Sequence, residues 1–272
     1  MAQRDAPGDG GHKFAVDLPR RLFLRRTRPL SQPSEQPDIQ ERVARMRQFE
    51  VFVNLPDAPL QKLAAAANFR VYRMGESLWQ QDEPTSQVLF IERGLAKTSR
   101  RIRAGLTRTY GLYGPGDSMG IYAIWAGMKY PTDAIALSEG MMGIVLPPKI
   151  LMDCSRRQPL LSASLVSEIG HFTEAFIHKI EIVSAGSIAE RIATFLAMLV
   201  DRYGSETAEG TAELPIYLTL EHISEIVDAR IETVARVLSE WKRQAWLILD
   251  ADGFHFLCFD QVRALLPDQA AT

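Results

Sequence analysis

The spacing of apolar residues changes period along this chain, from two to about three and a half, and a single uniform layer cannot satisfy both. Between Phe69 and Leu146 short runs alternate apolar and polar: Phe69-Arg-Val-Tyr-Arg, Leu78-Trp-Gln, Val88-Leu-Phe-Ile-Glu, Ala96-Lys-Thr-Ser, Thr107-Arg-Thr-Tyr-Gly-Leu-Tyr, Ala134-Ile-Ala-Leu and Met142-Gly-Ile-Val-Leu. Gly75, Asp82, Pro84, Gly94, Gly105, Gly114, Gly116 and Gly140 interrupt them at close intervals. Short alternating strands with frequent turn residues predict an antiparallel barrel or jelly roll. After Pro147-Pro148 the spacing becomes helical. Leu165, Ile169, Phe172, Phe176 and then Ile180 or Val183 recur at steps of four and three, the pattern of a coiled-coil seam. A long helix over these residues is expected to pair with its copy in a second subunit, or else to pack within its own domain.

The segment before the roll also reads as helical. Asp38 is placed to cap a helix through Ile39, Val43, Met46 and Phe49–Glu50, and a second short helix is expected after Pro59, through Leu60, Leu63 and Ala67. Residues 1–37 are rich in Gly, Pro, Gln and Arg without a sustained period and are expected to be a disordered basic extension. Within it, residues 18–28 mix basic and apolar side chains, as a solvated tail, a nucleic-acid arm or a docking segment would.

Composition narrows the function class. With 46% hydrophobic and 24% charged residues, the 272-residue chain has the makeup of a globular protein with a real core. No apolar run approaches the roughly 20 residues needed to span a bilayer, and no secretory leader opens the chain. A cytoplasmic protein with no membrane partner is expected. Cys154 and Cys258 are the only cysteines, too few and too far apart for a disulfide framework, a zinc site or an iron–sulfur cluster. His12, His171, His178, His222 and His255 all fall outside the predicted strands, so no metal-ligand set and no catalytic residues are expected on the roll. Met119, Met128, Met141 and Met142 read as core filler.

The most informative stretch is Leu218 to Arg243. Thr219 is placed to cap a first helix, with His222 three residues on where a capping box has Glu or Gln. Ile223, Ile226 and Val227 form its inner face. Asp228-Ala229 makes a tight turn, and Asp tolerates the left-handed conformation such a turn needs. The second helix buries Val234, Val237, Leu238 and Trp241, so Arg230, Ile231, Glu232, Thr233, Ala235 and Arg236 face outward and would enter a DNA major groove. Residues 246–257 then predict two strands about an Asp252-Gly253 turn, a wing. Against this stands charge: residues 187–272 carry 7 Lys/Arg and 14 Asp/Glu, a net −7, where phosphate binding favours a basic surface.

Ile231-Glu-Thr-Val-Ala-Arg236, preceded by Thr219, Ile223 and Ile226-Val227 and followed by Leu238 and the wing, resembles the DNA-binding signature of the cyclic-AMP receptor protein/FNR (Crp/Fnr) family. Ala189-Glu-Arg-Ile-Ala-Thr-Phe-Leu196 and Tyr113-Gly-Pro-Gly-Asp-Ser-Met-Gly120 extend the resemblance to roughly residues 51–266. It implies an α+β fold: a double-stranded β-helix (jelly-roll, cyclic-nucleotide-binding-like) sensor domain with flanking helices at 38–158, a long dimerisation helix at 159–186, and a C-terminal winged helix-turn-helix at 187–272. It implies a homodimeric transcription regulator with double-stranded DNA and RNA polymerase as partners. By the same resemblance Glu232 and Arg236 read bases, Ile231 places the chain nearer the FNR branch with TTGA-like half-sites, and Ala235 replaces the usual Ser of that branch. Arg236 offers a two-pronged donor to guanine, and Glu232 accepts from cytosine N4; the same two side chains, four apart, could instead form an intrahelical ion pair.

The resemblance also implies a pocket that this chain fills differently. Where the family's cyclic-nucleotide site has a ribose-binding Glu and an Arg-Ser phosphate pair, this chain has Gly120-Ile121 and Pro131-Thr132, and the dimer-helix positions that would meet the base are Phe176 and Ile177. Loss of the Arg–phosphate bond costs roughly 1.5–3 kcal/mol. Cyclic AMP is therefore not the expected effector, an oxygen-sensing cluster is ruled out by the missing cysteines, and haem would require His171 or His178, which lie off the apolar stripe. An apolar or aromatic small ligand, haem, or no ligand remains. Two readings from other classes stay open on the residues alone: a metabolite-binding module whose winged helix serves protein interaction, and an enzyme on a jelly-roll scaffold.

Overall fold

The computed structural model describes residues 36–103, 106–207 and 209–267; the expected basic segment at 18–28, His12 and the Gly105 turn lie outside the described residues. Helix α1 (Ile39–Met46) is capped by Asp38, whose carboxylate accepts from the backbone N–H of Gln40 and Glu41 at 2.9 Å. The expected continuation to Glu50 does not form. The chain breaks after α1 and restarts as α2 (Glu50–Val53), because Phe49, Val51 and Phe52 must all turn into one core and no single helical face holds them. The next helix, α3 (Asp57–Ala66), starts before Pro59, which sits in its first turn where no N–H donor is needed.

The roll follows. Strands β1 (Asn68–Tyr72), β2 (Ser77–Trp79), β3 (Val88–Arg93), β4 (Ala96–Arg103), β5 (Leu106–Tyr113), β6 (Ser118–Met119), β7 (Asp133–Ala136) and β8 (Met141–Leu146) form two antiparallel four-stranded sheets, ordered β1-β8-β3-β6 and β2-β7-β4-β5. Helix α4 (Ile121–Trp125) interrupts the strands after Gly120, whose φ of +90° favours glycine and whose missing Cβ leaves room beside the Gln87 carbonyl. Leu89, Ile91, Tyr72, Tyr130 and Met141 fill the space between the sheets, while Phe52, Phe90 and Ile144 join the roll to the N-terminal helices. Met119 and Met141 are core residues as expected; Met128 is not, being 42% exposed.

Helix α5 (Pro148–Ser155) leads into α6 (Pro159–Ser184), the 26-residue helix expected from the stripe. Helix α7 (Ile188–Tyr203) opens on a capping box between Ser187 and Glu190. After it come β9 (Ser205–Glu206), β10 (Ala212–Leu214), α8 (Leu220–Val227), α9 (Ile231–Arg243), β11 (Leu247–Leu249), β12 (Phe254–Phe256) and α10 (Phe259–Arg263). The sheet here runs β11-β12-β10-β9, so the wing is backed by the β9–β10 hairpin. Gly253 closes the wing turn with φ +136°, and a Cβ there would lie 2.2 Å from the Leu214 carbonyl. Among the described residues no helix is long and apolar enough to cross a membrane.

Much of the apolar stripe of α6 packs within its own chain. Leu165 is fully buried in the core shared with the N-terminal helices, and Ile169 packs against that core. Phe172 stacks on Tyr122 at 4.8 Å, and Phe176 meets Tyr110 edge-on at 5.9 Å. These four side chains are therefore covered by the chain's own roll; Val183 is half-buried. What α6 leaves outward is the adjacent row of Val166, Gly170, Thr173, Ile177 and Ile180, with Val166, Ile177 and Ile180 between 49% and 62% exposed.

Candidate nucleic-acid interface and effector cleft

The two helices α8 and α9 are built as their sequence demands. Thr219 accepts from the His222 N–H at 3.1 Å, and the Thr219 N–H donates to His222 Nδ1 at 3.4 Å, so His222 completes the capping box in place of Glu. That role requires a neutral ring, and burial together with the nearby Lys97 ammonium lowers the His222 pKa. The turn is made by Asp228 in the left-handed region, φ +56° and ψ 50°. Val234, Leu238 and Trp241 anchor α9 in the same core as Ile223, Ile226 and Val227.

Anchoring that face leaves Arg230, Ile231, Glu232 and Arg236 exposed, with Thr233 and Ala235 partly so. Among the described residues neither Glu232 nor Arg236 enters an ion pair, so both are free for an outside partner. No side chain caps α9, which leaves its first N–H groups and the positive end of its dipole facing outward beside Arg230 and Thr233.

The acid excess of this domain is directed elsewhere. Glu225 pairs with Lys97 at 2.5 Å and accepts from Thr109, Asp228 pairs with Arg108 at 2.9 Å and lies 3.7 Å from Lys179, and Lys179 also donates to the Glu225 and Ile226 carbonyls at the end of α8. On the far side Arg263 holds Asp201 and Glu206. Glu225 and Asp228 thus turn to the roll and α6 and are matched by cations from outside residues 187–272, whereas Asp201 and Glu206 are matched within that segment by Arg263. Sequence reasoning missed this cluster because its partners are distant in the chain, Lys179 by more than forty residues and Lys97 and Arg108 by more than a hundred; Glu225 and Asp228 carry no local signal of their mates.

In the roll, Gly120, Ile121, Pro131 and Thr132 line one cleft, and Phe176 and Ile177 do not reach it. Glu168 and Phe172 take their place from α6. The free space is only about 30 Å³, room for roughly one or two waters. Phe172 stacked on Tyr122 and Trp79 stacked on Tyr130 at 4.4 Å occupy the rest. Glu168, 9% exposed, accepts from the Ser118 hydroxyl and draws in His171 at 3.7 Å, raising the pKa of that histidine. The cleft thus already contains a carboxylate, and a second anion there would meet like charge. Beside it Arg202 of α7 holds the buried Asp117, whose pKa burial raises. Among the described residues no group of three or more His, Cys, Asp or Glu is placed to hold a metal ion.

A jelly roll joined through a long helix to a winged helix-turn-helix defines a sensor-coupled DNA-binding protein. Comparison with known proteins agrees. Residues 69–155 match the cyclic nucleotide-binding domain and residues 190–261 the Crp-like helix-turn-helix domain. The chain is 24% identical to the transcriptional regulatory protein btr of Bordetella pertussis, over 71% of this chain and 78% of that one. It is 23% identical to the nitrogen fixation regulation protein FixK of Azorhizobium caulinodans, over 78% and 81%. The structure of FixK2 from Bradyrhizobium japonicum superposes with a TM-score of 0.65 at 20% identity, covering 75% of this chain and 99% of that one. The chain belongs to the Crp/Fnr family and is a transcription regulator with a helix-turn-helix DNA-binding domain.

Proposed function

We propose that this regulator binds as a homodimer to an inverted repeat of TTGA-like half-sites, with Arg236 and Glu232 reading one G·C pair. The observation that carries this is the exposure of both side chains on α9 without an ion pair to either. In that setting the guanidinium is free to bridge guanine O6 and N7, and the carboxylate to accept from cytosine N4. Ile231 supplies an apolar contact and no donor for a further guanine, while Ala235 leaves the neighbouring base loosely specified. Thr219, Arg230 and Thr233 hold the phosphates, aided by the uncapped N-terminus of α9. The α6 row of Val166, Thr173, Ile177 and Ile180 pairs with its copy to set half-site spacing at about one helical turn.

The signal that governs DNA binding is not cyclic AMP: the cleft is occupied by aromatic side chains and Glu168, and the side chains of Ile121 and Pro131 offer no hydrogen-bonding group to a ribose or phosphate. The protein acts in the cytoplasm, performs no catalysis, and contacts RNA polymerase at its promoters.

Competition binding against single-base variants of the half-site tests the reading. Arg236→Ala should cost about 1–3 kcal/mol at the G·C pair and flatten preference there. Glu232→Ala should loosen discrimination at the same pair with a smaller loss of total affinity. If both variants keep the wild-type ranking of sites, α9 does not read DNA and the winged helix serves another partner.

A further inference from the structure

The roll cleft is closed, yet a larger cavity of about 360 Å³ lies where sensor and reading head meet, within the size range of small-molecule sites. Four elements enclose it: β5 through Tyr110 and Leu112, α6 through Ala175 and Lys179, α7 through Phe195 and Leu199, and α8 through Ile226. Its walls are mainly apolar. Its polar side chains on α6 are exposed His178, which has no side-chain partner among the described residues, and the Lys179 ammonium. The Lys179 side chain is 15% exposed and is balanced by two peptide carbonyls and by Asp228 at 3.7 Å. Burial lowers the Lys179 pKa, as expected of an ammonium short of a full counter-charge. The one carboxylate on the lining, Asp201, is held by Arg263 at 3.0 Å.

We propose that this interdomain cavity is the effector site, and that it takes a small molecule with an apolar body and a single carboxylate, the body against Leu112, Phe195 and Leu199 and the carboxylate toward Lys179 and His178. A ligand here touches the roll, the long helix and the reading head at once. It competes with Asp228 and the α8 carbonyls for Lys179, the side chain that ties α8 to α6. Such a ligand has different contacts in any state where α8 moves relative to α6, which is the condition for it to shift that equilibrium. The inference rests on the reading that an effector controls DNA binding, but the site is tested without DNA.

Titration calorimetry of the full-length protein with decanoate, and with 1-decanol as its uncharged counterpart, is the direct test. Decanoate should bind saturably at one site per chain, and Ala175→Trp, which fills the cavity from an incompletely buried helical position, should abolish it. Lys179→Met should weaken decanoate by about ten-fold or more and leave 1-decanol unchanged. Thr132→Arg, which obstructs the roll cleft instead, should leave both unaffected. Far-ultraviolet circular dichroism and melting of each variant separate loss of the site from loss of the fold. Absence of saturable decanoate binding below about 1 mM, binding that survives in a folded Ala175→Trp, or binding lost only in Thr132→Arg would overturn the proposal. Decanoate binding in a protein that ignores the inverted repeat would refute the DNA reading and leave the site standing.

Discussion

His222 illustrates how one residue couples protonation to the recognition motif. Its Nδ1 accepts from the Thr219 N–H, and only the neutral ring can do so. Because its pKa in the folded protein is lowered, the contribution of this cap is complete above the ordinary histidine pKa of about 6.5 and is lost as pH falls through the lowered value. Amide exchange in the first turn of α8, corrected for its intrinsic pH dependence, should therefore rise on acidification. His222→Glu, which restores the usual capping partner, should shift that rise to the lower range where a carboxylate protonates, and Thr219→Ala should cost about 1 kcal/mol at all pH values. An exchange profile for His222→Glu identical to wild type would show that the ring does not serve the cap. Thr219 was legible as the cap because a hydroxyl before an apolar run marks a helix start; that His222 closes the box was not, because its ring stands where Glu or Gln is usual, and the lowered pKa was not, because it arises from burial and from Lys97 on a distant strand.

Helix α6 shows how one element can offer two candidate seams. Steps of four and three are satisfied twice on this helix, by Leu165, Ile169, Phe172 and Phe176 and by the neighbouring row Val166, Gly170, Thr173, Ile177 and Ile180. Periodicity alone cannot choose between two rows about 100° apart, and it favours the more apolar one as the subunit seam. In the structure that row meets the larger available surface, the roll itself, and the weaker row is left outward. The helix-turn-helix escaped this ambiguity because caps, turn and wing fix its orientation locally. Strands β6, β9 and β10 were missed because two or three residues carry no measurable period. The two rows make opposite predictions. Ile177→Glu combined with Ile180→Glu should yield folded monomers in sedimentation, with DNA affinity lost on the inverted repeat. Phe172→Glu should instead destabilise the roll, since it would bring a second carboxylate beside Glu168 in a cleft without spare volume. Monomers from Phe172→Glu with an unchanged melting temperature, or dimers that persist in the Ile177/Ile180 variant, would return the seam to the original row.

At the scale of the whole molecule, the reading head is fixed to the sensor by groups that carry charge as well as by apolar packing. Leu95 and Leu137 of the roll belong to the same core as Leu196, Ile223 and Trp241, and the rim of this contact carries Lys97, Arg108 and Lys179 opposite Glu225 and Asp228. Lys97 is the most enclosed, its side chain 8% exposed, and that of Glu225 is 17% exposed. For a pair so enclosed the two charges roughly offset their own desolvation, so the pair adds little net stability over an apolar replacement, whereas a lone member is costly. The consequence is asymmetric. Glu225→Ala strands the Lys97 ammonium and should weaken the contact by about 3–5 kcal/mol, whereas Lys97→Met with Glu225→Leu should leave it within about 1 kcal/mol of wild type, with the coupling read from the double-mutant cycle. Because the damage falls on the joint and neither separate core is touched, its signature differs from a general loss of stability. Calorimetry should show one cooperative transition for the wild type and for the double variant, and two for Glu225→Ala, as the head and the roll melt independently. A single transition for Glu225→Ala, merely shifted down, would mean that the apolar contact alone joins the domains and that the charges at its rim carry no signal between them.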